Sequence, residues 1–442
     1  MRAANSRRQL RRLATAACVS WLAACAPAPP ELRIVLITLD TLRADGLSAT
    51  HMPKTHAFAN RGLRFERFYA ASSATQPTHA TLFTGQHPWE HGVARNGIAL
   101  DPAHETVAER LRAAGFATAA VVASFALDRR FALDQGFDSY EQEFEHTLVR
   151  GAWQGEPVEG QRFYGLAGPV VARAIDRLDA LQGPKQFLWL HLFDPHEPYG
   201  DAAGGQRAYP SRIRQLASTQ ELSRSHMRYV RRLYDSDLAE LDAALGPFFA
   251  RLEADAGHIE THVLLTSDHG ESFGEDGSFT HGYRVSPEQV HVPFVIVSPS
   301  LAPGARSDVA GSRDVARTLL GLAGVDTSGF AGRDLAKAAS SAASEAFGMA
   351  GQFGTAPEMR TDGSEVDASE PRFFAAYGDA LLTGDARRVV EDDRDDRLVD
   401  ETRAAPAREL FAEFDQQRRS RESPLLRDRE TEDALRALGY LE

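Results

Sequence analysis

Two carboxylates, an imidazole and a hydroxyl turn stand where metal-assisted ester chemistry would need them. Asp40 ends the apolar run Leu32-Arg33-Ile34-Val35-Leu36-Ile37-Thr38-Leu39, and Asp268-His269 ends the run His262-Val263-Leu264-Leu265-Thr266-Ser267. Between them in the chain lies Thr75-Gln76-Pro77-Thr78-His79-Ala80-Thr81-Leu82-Phe83-Thr84-Gly85, which is polar, proline-punctuated and able to start a helix. A hydroxyl at a strand-to-helix turn can be presented as a nucleophile, and helix-terminal N–H groups can receive an anion. Asp40, Asp268 and His269 could hold a divalent cation, which would lower the hydroxyl pKa of Thr75. Mixed oxygen and nitrogen donors suit zinc or manganese better than calcium, which takes all-oxygen shells. Taken singly, each aspartate could equally be the N-cap of a helix after its strand.

The elements that must position these residues alternate. Residues 32–39, 117–123, 186–193, 262–267 and 293–297 read as strands from their short apolar runs. Residues 54–60, 102–114, 165–181, 221–252 and 312–322 read as helices from their spacing, with Gly246-Pro247 expected to interrupt the long one. This alternation predicts an α/β fold, a mostly parallel central sheet with helices on both faces, and candidate sites at the strands' C-terminal ends. After Leu335 the texture changes. Residues 336–371 are rich in Ala, Ser, Gly and Glu and read as a low-complexity linker or surface excursion, followed by a C-terminal region, 372–442. Within it, residues 431–441 read as a short amphipathic helix.

Four ordered segments carry a resemblance. Ile37 to Asp45, the Thr75 stretch, His191-Leu192-Phe193-Asp194-Pro195-His196-Glu197-Pro198-Tyr199 and Ser267-Asp268-His269-Gly270-Glu271 resemble the successive motifs of the sulfatase family, within the alkaline phosphatase superfamily. The resemblance implies an alkaline phosphatase-like fold over residues 26–335 and strengthens the metal reading of Asp40, Asp268 and His269. It places Thr75 at the nucleophile position, as in nucleotide pyrophosphatase/phosphodiesterases. There Asn96 would bind phosphate oxygens, although Asn96-Gly97 also suits an ordinary turn. Asp194, His196 and His281 match places where two-metal relatives bind a second ion. The alternative for His196 and His281 is hydrogen bonding to the substrate oxyanion, so one or two ions are implied. His79 and His91 read as supports of the loop, Arg43 and Asp45 as structural, and His191 as structural and turned from the site.

The only cysteines are Cys18 and Cys25. The family's sulfate-hydrolysing members convert a cysteine to formylglycine, and the mature body has none to convert. The resemblance with Thr75 in that place implies a phosphate ester, mono- or diester, as substrate. The rivals are a sulfate ester, a phospho-group transferase and a non-catalytic binding protein of the cell envelope.

Residues 1–25 read as an export signal. Arg7, Arg8, Arg11 and Arg12 form a basic start, Leu13 to Ala24 is apolar but short for a membrane span, and Leu22-Ala23-Ala24-Cys25 resembles a lipobox. Cys25 is therefore expected to carry a lipid that tethers an exported envelope protein. The first 25 residues hold five arginines and no acid, so their removal takes the formal charge of −13 to −18. An acidic body argues against nucleic-acid partners but not against an anionic substrate, since a cation reverses the local sign. Residues 141–164 and 200–220 match no motif and are where the substrate's organic part would be read.

Overall fold

The computed structural model describes residues 31–145, 163–200, 224–275, 277–337, 345–351, 358–359, 365–366, 370–377, 380–385, 387–391, 399, 401–422, 424–426 and 428–437. The expected lipid-bearing Cys25, Leu438 and Leu441, and most of the loops 141–164 and 200–220, lie outside them.

Eight strands form the central sheet: β1 (Glu31–Leu39), β2 (Leu63–Phe65), β3 (Ala117–Val121), β4 (Ser139–Glu141), β5 (Lys185–Leu192), β6 (Ile259–Ser267), β7 (Phe294–Val297) and β8 (Gly304–Arg306). Their spatial order is β8-β2-β7-β6-β1-β5-β3-β4. The five strands from β6 to β4 run parallel, and β7 lies antiparallel to β6 and β2. In β1 the parity of the apolar run serves two cores, as a strand covered on both faces requires. Val35, Ile37 and Leu39 pack with Phe58 of α1 (Pro53–Ala59), Val170 and Ala174 of α4 (Ala167–Ala180), and Leu238 and Leu241 of α5 (Arg224–Ala254). Ile34 and Leu36 pack on the other side with Leu82 and Phe83 of α2 (Thr75–Thr84), Val107 and Leu111 of α3 (Val107–Ala113), and Leu319 of α6 (Val315–Leu322). The result is the α/β architecture expected from the alternation.

Three local expectations are corrected. Gly246-Pro247 does not break α5, which runs through Pro247. Phe248, Phe249 and Leu252 beyond it are buried, and Phe249 stacks on Phe58 with ring centres 4.2 Å apart, so packing outweighs the lost backbone hydrogen bond. Helix α3 starts at Val107 rather than Pro102, because Thr106 and Glu109 close a capping box there. Finally, residues 336–371 are not all linker. Strand β9 (Glu345–Met349) pairs with β10 (Phe373–Tyr377), which continues to β11 (Ala380–Gly384) and β12 (Val389–Glu391) in a second, antiparallel sheet. Helix α7 (Glu401–Arg421) covers that sheet with Ala404, Ala407, Phe411 and Phe414, and Phe414 stacks on Trp89 at 4.0 Å. A last helix, α8 (Arg429–Ala437), buries Ala434 and Leu435 in the first core.

Candidate active site

The parallel strands deliver the acidic residues. Asp40 and Asp268 follow the adjacent strands β1 and β6, whose last residues Leu39 and Ser267 are register partners. Thr41, directly after Asp40, has φ of 56°, a conformation costly for a β-branched residue. Its N–H lies 3.3 Å from Asp268 Oδ1, which also accepts the His269 N–H at 2.8 Å. Gly270 follows because a Cβ there would sit 2.0 Å from the Glu288 carbonyl oxygen.

His269 Nε2 is the meeting point. It lies 3.7 Å from Asp40 Oδ1, 3.6 Å from Asp268 Oδ2 and 3.4 Å from Thr75 Oγ1. Its Nδ1 donates to the Gly270 carbonyl at 3.0 Å, which leaves Nε2 with a free lone pair in the neutral ring. Both oxygens of Asp40, and Oδ2 of Asp268, are buried without a hydrogen-bond partner. Burial and then the Asp268 carboxylate push Asp40 up to about 7. Burial works against Asp268 too, but His269, His79 and His191 outweigh it and hold that carboxyl below its ordinary value. Burial likewise disfavours charge on His269, and Asp268 and Asp40 overcome it, raising that ring. Buried acceptors with no donor are costly. Asp40, Asp268 and His269 have ligand atoms all within 4.8 Å of one another, so the donor set fits a divalent cation.

Thr75 opens α2 and is buried, with extended Ala74 before it. A chain of uncharged donors fixes that turn. Trp189 Nε1 donates to Thr38 Oγ1 at 2.9 Å, Thr38 Oγ1 lies 3.1 Å from His79 Nε2, and His79 Nδ1 lies 2.8 Å from the Thr75 carbonyl oxygen. Burial brings His79 down to about 3, so this ring is neutral and serves as a brace, the role expected of it. On the other side, the Gln76 N–H donates to Asn96 Oδ1 at 2.9 Å, and Gln76 Oε1 accepts from Gly97 N–H at 2.6 Å. With its oxygen so used, Asn96 keeps a buried Nδ2 that has no partner.

The expected second cluster is only partly assembled. The rings of His269 and His281 lie 4.3 Å apart, and those of His281 and His196 lie 5.0 Å apart. His196 Nδ1 donates to its neighbour's carbonyl, Glu197, at 2.8 Å, and its Nε2 is buried without a partner. Asp194 is drawn off, because its Oδ2 accepts the Ala167 N–H at 2.8 Å, at the start of α4. Among the described residues no cation-sized group includes Asp194, His196 or His281.

Four participants were not read from the sequence. His191, expected to face away, brings Nε2 within 3.6 Å of Asp40 Oδ2. Its position on β5 opposite Thr38 of β1 decides this, and register is not visible in one strand's sequence. Gln76 has no motif role, although a polar residue inside a buried helix turn is a signal. Glu271 and Tyr199 likewise have none, and they bond to each other, Tyr199 Oη to Glu271 Oε2 at 2.5 Å. Arg43 does what was expected, tying Asp45 and, through Nη1, the Glu271 carbonyl and Glu275.

Comparison with known proteins agrees with this geometry. The sulfatase family model matches residues 33–325. The chain is 23% identical over 356 residues to the choline-sulfatase of Rhizobium meliloti (strain 1021), covering 66% of this chain and 67% of the relative. It is 24% identical over 352 residues to the multifunctional alkaline phosphatase superfamily protein PehA of Trinickia caryophylli, covering 60% of this chain and 67% of that protein. These alignments span about two thirds of each relative. Among solved structures, the phosphonate monoester hydrolase SpPMH from Silicibacter pomeroyi superposes with a TM-score of 0.66 at 20% identity, over 90% of this chain and 97% of that one.

Proposed function

From the premise that this chain belongs to the sulfatase family, we propose that it hydrolyses a phosphate ester, with Thr75 as the attacking group. The chain is a sulfatase-family hydrolase of the alkaline phosphatase superfamily. One observation carries it. Asp40 and Asp268 present buried oxygens with no partner around His269 Nε2, which lies 3.4 Å from Thr75 Oγ1, and Asn96 holds an unused amide donor near the same helix turn. That is a place for a cation and an oxyanion together.

A zinc or manganese ion held by Asp40, Asp268 and His269 would supply positive charge that eases ionisation of Thr75 and neutralises the ester's oxygens. The chain's own residues do the rest. His269 holds its Nδ1 on the Gly270 carbonyl, which keeps Nε2, 3.4 Å from Thr75 Oγ1, as the ring's one ligand atom. The brace through His79 holds the Thr75 backbone. Asn96 Nδ2 donates to a phosphoryl oxygen, and His281, 4.3 Å from the His269 ring, and His196 beyond it are further partners for the substrate's oxygens. Attack by Thr75 Oγ1 on phosphorus forms a phosphothreonine and expels the alcohol; water then attacks that phosphorus and restores the hydroxyl, releasing phosphate or, from a diester, its monoester.

The preference for phosphorus over sulfur rests on Thr75, which has no carbonyl to hydrate and cannot expel sulfate as formylglycine does. Metal analysis followed by a panel of nitrophenyl phosphate, phosphodiester and sulfate esters tests it. Phosphorus esters should turn over fastest; a sulfate ester beating every phosphorus ester would overturn the substrate class and leave the fold intact. A lipid on Cys25 would place the enzyme at the cell envelope, which the intact mass of the mature chain reads directly. Among the described residues no helix is long and apolar enough to cross a membrane.

A further inference from the structure

The geometry points to Glu271 as the positioning residue of His281, with Tyr199 as its second hydrogen-bond partner. Glu271 is completely buried, and a carboxylate there can only accept. Oε1 lies 3.0 Å from His281 Nδ1 and Oε2 accepts the Tyr199 hydroxyl at 2.5 Å. With Glu271 as the acceptor, His281 Nδ1 donates to it, which fixes the ring's plane and the direction in which its Nε2 points.

The three residues come from three segments that each carry a site residue. Glu271 stands two positions after His269, Tyr199 three after His196, and His281 follows the short strand Phe279–Thr280. The contact also sets the place of the His281 ring, tilted against His269 and edge-on to His196. The Glu271 backbone is itself held, since its carbonyl accepts from Arg43 Nη1 at 2.9 Å. A buried carboxylate that served packing alone would not need an imidazole N–H and a phenol on its two oxygens. The consequence is a specificity device: His281 meets the oxyanion only while Glu271 holds it.

The inference rests on the reading above that His281 faces the substrate's oxygens, and a double-mutant cycle separates the two. The probe is inorganic phosphate, titrated calorimetrically into the full-length metal-loaded protein and its Glu271→Gln, His281→Ala and double variants. Glu271→Gln should weaken phosphate by about tenfold, the scale of one charge-assisted hydrogen bond. In the His281→Ala background it should add almost nothing, since contacting residues are non-additive. Tyr199→Phe should move affinity the same way but less, and should also lose its effect without His281. Equal effects of Glu271→Gln and Tyr199→Phe with and without His281 would overturn the positioning role while leaving His281 at the substrate. Unchanged phosphate affinity in His281→Ala would overturn the placement of His281 itself. Should Glu271→Gln fail to fold, the Tyr199→Phe cycle decides in its place.

Discussion

Asp268 is held below its ordinary value by neighbouring histidines while Asp40, one strand away, is pushed up to about 7 by burial and the Asp268 charge, and the two present buried oxygens that a cation would neutralise. Asp268→Ala should therefore remove bound metal and turnover together; full activity in a metal-free Asp268→Ala protein would contradict the role. The histidines next to the nucleophile turn show the opposite strategy, neutrality by burial. His91 accepts from Val93 N–H at Nδ1, 3.1 Å, and faces Thr81 Oγ1 with Nε2, 3.1 Å; burial takes it down from 6.5 to about 3. His87, stacked on Trp89, is lowered too, by burial first and then by Arg313 and His91. Between those values the unfolded chain binds protons that the folded chain refuses. Stability is thus complete above the unfolded value of 6.5 and is lost as pH falls toward 3. Each such ring contributes a slope of at most about 1.4 kcal/mol per pH unit. Urea unfolding at pH 7.5 and pH 5 should show the loss, and His91→Gln should flatten it. The three candidate cation ligands were legible because strand ends with Asp or His are a local pattern. His191 and the Glu271–Tyr199 contact were not, because they depend on how separate strands and loops meet.

At the scale of elements, the C-terminal segment braces the turn that carries Asn96. Leu426 N–H donates to the Gly97 carbonyl at 3.0 Å, Leu425 bridges to Ile98, and Arg95 pairs with Glu422 at 3.2 Å. Gly97 has φ of 95°, and a Cβ on it would meet Leu435 of α8 at 2.8 Å, so Leu435 packs directly on the turn. Leu435→Ala should cost about 2–5 kcal/mol, as buried leucine truncations do, and should also weaken inorganic phosphate binding. Thr106→Ala, which opens only the α3 capping box, should cost about 1 kcal/mol and leave phosphate affinity unchanged. Denaturant melts and phosphate titrations of the two variants check both. Helix α7 was missed in the sequence, where Pro406 and its many charges obscure the buried spacing Ala404, Ala407, Phe411, Phe414. Strand β9 was missed because Ala and Gly composition says nothing of a partner strand, and Met349 is buried only once β10 lies beside it. In both places tertiary packing overrides a weak local signal.

For the whole molecule, the parallel strands and the alternation of apolar residues on β1 set one sheet between two helical layers, and the site falls at the strands' C-terminal edge. A cation at that edge joins β1 to β6 and should stabilise the fold by mass action, by about 2.7 kcal/mol at a hundredfold excess over its dissociation constant. Chelation should lower the melting temperature, and zinc or manganese should restore it; a melting temperature indifferent to chelator and to added metal would count against the site. The most direct test of the account is the turnover of Thr75→Ala on the best phosphorus ester found for the parent. Loss of several orders of magnitude is expected, because the attacking oxygen is gone and water must replace it, with part of the activity kept in Thr75→Ser. Hydrolysis by Thr75→Ala at the parental rate would show that Thr75 is not the nucleophile.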